Sequence, residues 1–303
     1  MISLVGVGVP TADDVYRVGP ETLRTGGLIE HLASDGGGQV ATALVAAARL
    51  GARTALLGTV GPDERGATIR RDLAAAHVEV SGLHVAAAGR SAGALVFVDP
   101  AGERHILYEP ATVPVRQLTP ADRDAVAAAD GLLLERDDPL SVACADAARA
   151  GSVPVLLDLD AYLGDPARLA VRPTIVIASA AAAADRGVDE TLRYLIAGGA
   201  EVAIVTLGAA GARARTAAGE VLTVPAEPVQ VVDTTGAGDA YHGAFLVAWC
   251  DGAGLAAAME FAARVAALNC TGTGGRAGLP TRSELTARYG ASRYGAGSKR
   301  RGQ

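Results

Sequence analysis

One short segment of the chain sets small residues between two aspartates, Asp233-Thr-Thr-Gly-Ala-Gly-Asp239. A helix is predicted to begin near Ala237, so that the backbone N–H groups of Gly236, Ala237 and Gly238 point outward at the positive end of the helix dipole. Amides arranged in this way can bind a phosphoryl group, and Asp239 would lie beside them. A hydroxyl held there can pass its proton to Asp239 as it attacks a phosphate. The segment therefore predicts phosphoryl transfer, with an ordinary helix cap as the alternative.

A second glycine run, Gly36-Gly-Gly38, stands before a helix predicted over residues 39–50, with Gly51 at its C-cap. Three glycines let the backbone approach a ligand closely, with the positive end of the helix behind them. The run is a candidate ligand-binding loop, and a flexible loop without a ligand is the alternative.

The composition excludes several other mechanisms. Lys299, near the C-terminus, is the single lysine of the 303 residues. A P-loop lysine, a protein-kinase strand lysine and Schiff-base chemistry are therefore excluded. The net charge is −6 and no basic stripe crosses the body of the chain, which indicates that nucleic acid is not a partner. Cys144, Cys250 and Cys270 are too widely spaced for a zinc site or a disulfide framework.

The length suits one large domain, residues 1–290, followed by a Gly-, Ser- and Arg-rich tail, 291–303, which we expect to be flexible. The chain opens on a predicted strand, and no window reaches 18 consecutive strongly apolar residues. We therefore expect a soluble, cytoplasmic protein with no membrane partner.

Apolar runs alternate with helical patterns along most of the chain, which predicts an α/β fold with a mainly parallel sheet and helices on both faces. The predicted strands are 2–9, 54–60, 131–134, 153–159 and 229–232. Residues 174–177, 191–197 and 202–207 continue the alternation. The predicted helices are 39–50, 64–76, 140–150, 237–250 and 255–270.

Two predicted strand pairs lack intervening helices, 15–18 with 28–33 and 94–98 with 105–108. Asp-Pro-Ala-Gly at 99–102 gives the second pair a hairpin turn. We interpret these pairs as a small β-sheet that stands off the main domain as a lid, made of segments at about 11–34 and 91–112. Edge hairpins of the main sheet are the alternative. Exposed lid strands offer edges for pairing, so a homodimer through the lid is a further expectation.

Three motifs together resemble those of the ribokinase/PfkB carbohydrate kinases. The segment that ends at Asp239 resembles the second fingerprint of that family, and Gly37-Gly38 with Ala-Ala-Arg49-Leu-Gly51 resembles the first. Val205-Thr-Leu-Gly208-Ala-Ala-Gly211 resembles the nucleotide loop. The resemblance implies a ribokinase-like fold, with a Rossmann-like sheet and a β-lid. It also implies transfer of the ATP γ-phosphoryl group to a hydroxyl of a small sugar, with Mg²⁺.

The resemblance implies a role for particular residues. The base is Asp239, and the anion hole is formed by Gly236, Ala237 and Gly238. The sugar contacts are Asp13, Gly37, Gly38 and Thr42. The nucleotide contacts are Thr206, Gly208, Gly211, Gly236, Gly238 and Asn269. A monovalent cation would be held by Asp233 and Thr235, with a second loop at 273–278, and K⁺ is expected to raise activity.

A narrower resemblance is to the sulfofructose kinases, in Gly36-Gly-Gly-Gln-Val-Ala-Thr-Ala43 and Asp239-Ala-Tyr-His-Gly243. Arg136, which follows the predicted strand 131–134, matches the sulfonate-binding arginine of that subgroup. An arginine at the carboxyl end of a strand can grip an anion through two hydrogen bonds. An anionic, keto-hexose-like sugar is thus implied, and a surface arginine paired with a neighbouring carboxylate is the alternative. Gly26 stands where the subgroup has a lid lysine.

Two departures concern the wider family. Thr42 stands where the first fingerprint usually has an asparagine. The Asn-x-x-Glu motif, linked to Mg²⁺ and phosphate, is Ser-Ala-Ala-Ala at 179–182. Mg²⁺ would then depend on water and ATP oxygens, which this ion accepts.

Two rival functions stay open on the sequence. A nucleoside kinase of the same fold needs an aromatic or apolar floor for the base, and Tyr16, Phe97 and Tyr108 in the lid offer one. A non-catalytic sugar sensor is favoured by Ala182, where the family has glutamate, and disfavoured by Asp239 with its glycines.

Overall fold

A computed structural model describes residues 1–19, 21–99, 104–159, 170–290 and 294. The strands are β1 (Ser3–Val7), β2 (Thr11–Val18), β3 (Ile29–Gly37), β4 (Arg53–Val60), β5 (Val78–Glu79), β6 (Leu83–Val85), β7 (Ala92–Val98), β8 (Arg104–Glu109), β9 (Gly131–Leu134), β10 (Val155–Leu159), β11 (Ile175–Ser179), β12 (Val202–Thr206), β13 (Ala212–Thr216) and β14 (Val221–Val224). The helices are α1 (Thr22–Thr25), α2 (Gln39–Arg49), α3 (Glu64–Ala75), α4 (Pro120–Ala127), α5 (Pro139–Ala150), α6 (Val188–Ala197), α7 (Ala237–Cys250), α8 (Leu255–Asn269) and α9 (Arg282–Tyr289).

The main sheet runs in the order β14-β13-β12-β11-β10-β9-β1-β4-β5, with β6 beside β4. All neighbouring strands between β12 and β5 in this order pair in parallel, and so do β4 and β6. The β13–β14 hairpin adds an antiparallel edge next to β12. The chain thus has the predicted α/β fold with a mainly parallel sheet, and the antiparallel edge is an addition that the sequence pattern did not show.

Each face of the main sheet packs on its own apolar core. Side chains alternate between the faces, so that Leu133 and Leu156 pack against α2, α7 and α8, whereas Leu132, Leu134 and Leu157 pack against α5 and α6. All five leucines are almost fully buried. Burial on both faces explains why these strands read as continuous apolar runs.

The helices α2 and α7 pack unusually closely, and both begin at the carboxyl edge of the sheet. A Cβ atom at Gly243 would lie 2.1 Å from the carbonyl oxygen of Ala43. Only glycine therefore allows this approach of α7 to α2. The close contact holds the two helix N-termini side by side above the sheet.

The two predicted strand pairs form one four-stranded sheet of order β3-β2-β7-β8. β2 pairs with β3 and β7 with β8 in antiparallel fashion, and β2 joins β7 in parallel. This sheet is separate from the main sheet, as the lid interpretation required. Ile29 on one edge strand, and Ile106 and Leu107 on the other, are exposed.

The strand predicted at 229–232 is wrong. The segment has no regular secondary structure and bends at Val232, and Val231 and Val232 are 57% and 60% exposed. The N–H groups of Val232 and Asp233 instead donate to the carbonyl oxygen of Cys270 at 2.8 and 3.1 Å. The valines gave a strand-like pattern, but the backbone partner is the end of α8.

The predicted tail lies outside the described residues, apart from Tyr294. That side chain is buried and packs edge-to-face on Phe261, with 5.2 Å between the ring centroids. No helix in the described part of the chain is long and apolar enough to cross a membrane.

Candidate active site

The carboxyl ends of β1, β9 and β10 meet the N-termini of α2 and α7 in one cleft. Asp239 lies in the first turn of α7 and stays partly open to the cleft. Asp158 lies in β10, and Glu135 follows directly after β9. Such a crevice at the carboxyl edge of a parallel sheet is the usual ligand site of this architecture.

The loop before α7 requires glycine at one position and leaves open space at another. Gly236 has φ +70°, and a Cβ there would lie 2.2 Å from the carbonyl oxygen of Gly275. Gly238 has nothing within 4 Å of its added Cβ. No side chain caps the helix. The N–H of Ala237 donates to the carbonyl oxygen of Thr234 at 3.2 Å, and the next amides, those of Gly238 and Asp239, present the positive end of the helix dipole to open space. The geometry suits an anion.

Asp239 is one of three carboxylates close together. The pKa of its carboxyl is raised to about 8, chiefly because burial disfavours the charged form. The carboxylates of Asp158 and Glu135 act in the same direction, and His242 and Arg276 act against them. His242 lies one turn further along α7, with Nδ1 3.1 Å from Oδ2 of Asp158. A proton acceptor of unusual basicity thus faces the anion-binding helix end.

Sequence reasoning assigned no role to Arg276, which lies at the centre of the site. Its Nε donates to the Thr42 hydroxyl at 3.1 Å, and Nη2 donates to the carbonyl oxygen of Gly37 at 3.0 Å. Burial lowers the pKa of the guanidinium to about 10, against the opposing charges of Asp13 and Asp239. Arg276 ties the first glycine loop to the 273–278 loop. The one available signal was a lone arginine within a glycine-rich run.

Glu135 was also missed as a site residue. Its side chain is 4% exposed and accepts the N–H of Val9 at 2.7 Å and that of Val40 at 3.1 Å. Burial raises the pKa of this carboxyl, and the two N–H donors oppose that shift. The carboxylate caps the free amides at the start of α2 and fixes that helix against β1.

The residues predicted to contact a sugar lie together beside Asp239. A small cavity of 70 Å³ is lined by the main sugar candidates, Asp13, Gly37, Gly38 and Thr42, and by Asp239 itself. Oδ1 of Asp13 is buried without a hydrogen-bond partner in the described part of the chain, and burial raises the pKa of this carboxyl. A buried acceptor of this kind suits a ligand hydroxyl.

A larger cavity of 420 Å³ lies on the other side of the α7 N-terminus, within the usual size of small-molecule sites. Four of the predicted nucleotide contacts line it: Thr206, Gly208, Gly211 and Gly238. Gly236 lines the small cavity instead. Val229 and Val231, from the mispredicted strand, add an apolar wall.

Asn269, predicted to contact the nucleotide, lies behind the loop rather than in the larger cavity. Its side chain is fully buried and does not line the larger cavity. The Nδ2 group donates to the carbonyl oxygens of Thr235 at 3.1 Å and Gly275 at 3.0 Å. Asn269 therefore joins the two loops behind the anion-binding amides.

The oxygens predicted to hold K⁺ already have N–H donors. Oδ1 of Asp233 accepts the N–H of Thr235 at 2.8 Å, and Oδ2 accepts the N–H of Gly274 at 2.6 Å. The carbonyl oxygen of Thr235 accepts from the Asn269 amide. Oδ1 of Asn269 is buried without a hydrogen-bond partner in the described part of the chain.

Residues 179–182 offer no carboxylate for magnesium. The Ser179 hydroxyl accepts the N–H of Ala182 at 3.1 Å, which forms a local turn. Among the described residues, Asp158, Asp239 and His242 are the group whose ligand atoms lie close enough to share a metal. Asp158 is already paired with His242.

Arg136 lies in a third cavity, of 190 Å³, which also contains Tyr108 and Arg116. Its Nε contacts Oε1 of Glu135 at 3.4 Å, and the side chain is 46% exposed. Arg116 is neutralised by a buried pair with Asp122. Arg136 is therefore outside the cavity that the sugar candidates line. Its link to the site is the contact with Glu135.

The comparisons with known proteins agree with this geometry. Residues 13–282 match the model of the pfkB family carbohydrate kinases. The chain belongs to that family. It is accordingly a carbohydrate kinase, a phosphotransferase, with the ribokinase-like fold that the sequence predicted.

Relatives of this pfkB-family chain include ribokinase of Bacillus subtilis, 29% identical over 82% of the chain and 86% of the relative. An ATP-dependent ribose-1-phosphate kinase of Halopiger xanaduensis is 30% identical over 83% of the chain and 86% of the relative. The crystal structure of a putative ribokinase from Agrobacterium tumefaciens matches with a TM-score of 0.86 and 30% identity, over 95% of this chain and 97% of that one.

The raised pKa of Asp239 predicts a pH-dependent stability gap between Asp239→Asn and the wild type. The folded wild type loses stability as pH rises from 3.8, the ordinary value, to about 8, because the charged carboxylate is disfavoured in the folded state. Asparagine avoids this loss. Thermal unfolding should show no gap below the ordinary pKa and a more stable variant above pH 8, by about 1–3 kcal/mol after allowance for partial exposure.

The exposed Asp146, which pairs with Arg149 on the surface, supplies the control. Asp146→Asn should not become progressively more stable than the wild type as pH rises to 8. A gap for Asp239→Asn that does not change with pH would contradict the electrostatic account.

Proposed function

We propose that this protein transfers the γ-phosphoryl group of MgATP to a hydroxyl of a small sugar, with Asp239 as the general base. One observation carries the proposal. Asp239 and the bare N-terminus of α7 stand between two cavities, one small and polar with Asp13, the other larger and partly apolar. An acceptor hydroxyl and a terminal phosphate would meet at this junction.

The proposed mechanism uses position and electrostatics. The sugar hydroxyls are held by Asp13 and by the backbone at Gly37 and Gly38. Asp239 takes the proton of the attacking hydroxyl, and the amides of Gly236, Ala237 and Gly238 stabilise the charge that develops on the phosphoryl oxygens. ATP occupies the larger cavity, with Thr206, Gly208 and Gly211 along its wall. Mg²⁺ bound with the nucleotide would supply positive charge that neutralises its phosphates.

The elevated pKa of Asp239 supports its role as the base. A carboxylate with a pKa of about 8 takes a proton more readily than an ordinary aspartate. The ATP phosphates would add negative charge nearby, and the positive end of α7 and Arg276 would offset it. No lysine is available for this purpose in residues 1–298.

The acceptor that we propose is an anionic sugar of keto-hexose size. Arg136 supports this because its side chain, although paired through Nε with Glu135, is 46% exposed at the carboxyl end of β9, whereas the neighbouring Arg116 is buried in its pair with Asp122. The Halopiger relative, by its name, acts on ribose 1-phosphate, which is also an anionic sugar. The anionic group of the sugar, far from the reacting hydroxyl, would extend past Glu135 and bind Arg136.

A nucleoside kinase remains a second candidate because of two aromatic rings in the lid. Tyr16 and Phe97 stack with 5.8 Å between centroids and 28° between planes. Such a pair of rings can provide a surface on which a nucleobase stacks. Assaying sugars, sugar phosphates, sulfosugars and nucleosides side by side separates the candidates.

Asp239→Asn should lower kcat by ~10²–10⁴-fold, since it keeps the shape and removes the proton acceptor. The dissociation constant of ATP should change little, because the backbone amides remain. Steady-state phosphorylation and calorimetric titration with ATP measure the two quantities. Near-wild-type turnover by this variant would refute the role of the base.

Arg136→Met should raise KM for an anionic acceptor by the equivalent of ~2–4 kcal/mol, because a charged hydrogen bond is lost. A neutral sugar should be affected far less. Arg123, an exposed arginine on α4, gives the matched control Arg123→Met, which should change neither value. If a neutral sugar is the best substrate and Arg136→Met handles it normally, the arginine has a structural role.

We also propose a homodimer through the lid. The support is the exposed apolar surface on its two edge strands, at Ile29, Ile106 and Leu107, since unpaired edges of this kind favour association. Sedimentation equilibrium should give twice the chain mass of 30.4 kDa, and the single-chain mass would exclude the dimer.

A further inference from the structure

Asn269, the last residue of α8, is a fully buried side chain behind the anion-binding loop. Its Nδ2 donates to two carbonyl oxygens, one from Thr235 and one from Gly275, at 3.1 and 3.0 Å. An amide NH₂ group has two hydrogens, so these two bonds use both of them. The side chain clamps the loop before α7 to the 273–278 loop.

The position of the Thr235 carbonyl fixes the direction of the next N–H. The peptide between Thr235 and Gly236 is planar and trans, so its C=O and N–H point in opposite directions. Because Asn269 holds the C=O from behind, the Gly236 N–H is turned toward the cleft. The direction of the Gly236 N–H in the anion hole therefore depends on which group binds the Thr235 carbonyl oxygen.

The same carbonyl, with Asp233, belongs to the set of oxygens expected to surround a monovalent cation. A donor nitrogen that lies about 3 Å from two carbonyl oxygens occupies the space between them that a cation would need. Here both carboxylate oxygens of Asp233 and the carbonyls of Thr235 and Gly275 accept from N–H groups. The amide of Asn269 stands where the cation would neutralise these oxygens.

We propose that Asn269 is a positioning residue that replaces the monovalent cation: its amide orients the anion hole, so that K⁺ does not activate the enzyme. The inference rests on the proposed function, because it concerns the loop that would bind the phosphoryl group. A neutral amide built into α8 keeps the loop ordered without an ion-binding equilibrium. The dependence of activity on salt composition is what distinguishes the two arrangements.

Two measurements test the wild type: initial rates, and thermal unfolding, each in KCl and in choline chloride at equal ionic strength. We expect the same rate and the same Tm in both salts. A ligand that binds the folded state raises Tm by mass action, so a specific rise in Tm and in rate with K⁺ would overturn the proposal. The Tm comparison needs no substrate. It stays informative even if no sugar is phosphorylated, an outcome that would count against the proposed function instead.

Asn269→Ala should open a small space lined by the two carbonyl oxygens. We expect kcat to fall about 10–100-fold in choline chloride, as two buried acceptors lose their donor. K⁺ should restore part of the activity and raise the Tm of this variant. Asn269→Leu, which fills the space without offering a donor, should be equally slow and should not respond to K⁺.

Full turnover by Asn269→Ala in choline chloride would show that the amide does not position the loop. An alanine variant that folds but gains nothing from K⁺ would show that the amide does not occupy the place of a cation. If the alanine variant does not fold, the two wild-type comparisons decide the proposal alone.

Discussion

Two helix N-termini that face one cleft are the feature on which the site depends. The start of α2 is held by the carboxylate of Glu135, which accepts the N–H of Val40. The start of α7 has no side-chain cap, and beyond the Ala237 N–H, which donates to Thr234, its next amides stay open. The close packing of Gly243 on Ala43 holds the two helices together near the carboxyl edge of the sheet. The protein thus satisfies one positive helix end internally and reserves the other for a ligand.

This arrangement explains why so many carboxylates are tolerated in one cleft. Asp239, Asp158 and Glu135 repel one another, and burial adds to the cost of their charge. The counter-charges come from Arg276, from His242 and from the helix ends, none of which is a lysine. Because these counter-charges do not fully offset burial and the neighbouring carboxylates, the pKa of Asp239 stays raised. Stability is given up at the position where a strong proton acceptor is useful, as is common at functional sites.

The sequence predicted those features that repeat along the chain. Strands with buried leucines, the start of α7 and the lid strands follow from apolar periodicity and from glycine positions. Residues 229–232 failed because valines lining a cavity give the same pattern as a strand. Arg276 and Glu135 could not be found by pattern, since their partners lie far along the chain: Arg276 bonds Thr42, and Glu135 bonds Val40. Their roles arise only when the sheet brings these segments together.

Asn269 shows how far a motif can be carried between related chains. The loop at Asp233 matches its family in sequence, but the oxygens that the match would assign to a cation are held by an amide from α8. A cation and an amide differ in one respect that matters here, since only the cation brings positive charge near Asp239. With the neutral amide in place, Arg276 and His242 are the side chains that lower the pKa of the base. The identity of one buried residue therefore links the ion requirement of the loop to the basicity of the carboxylate beside it.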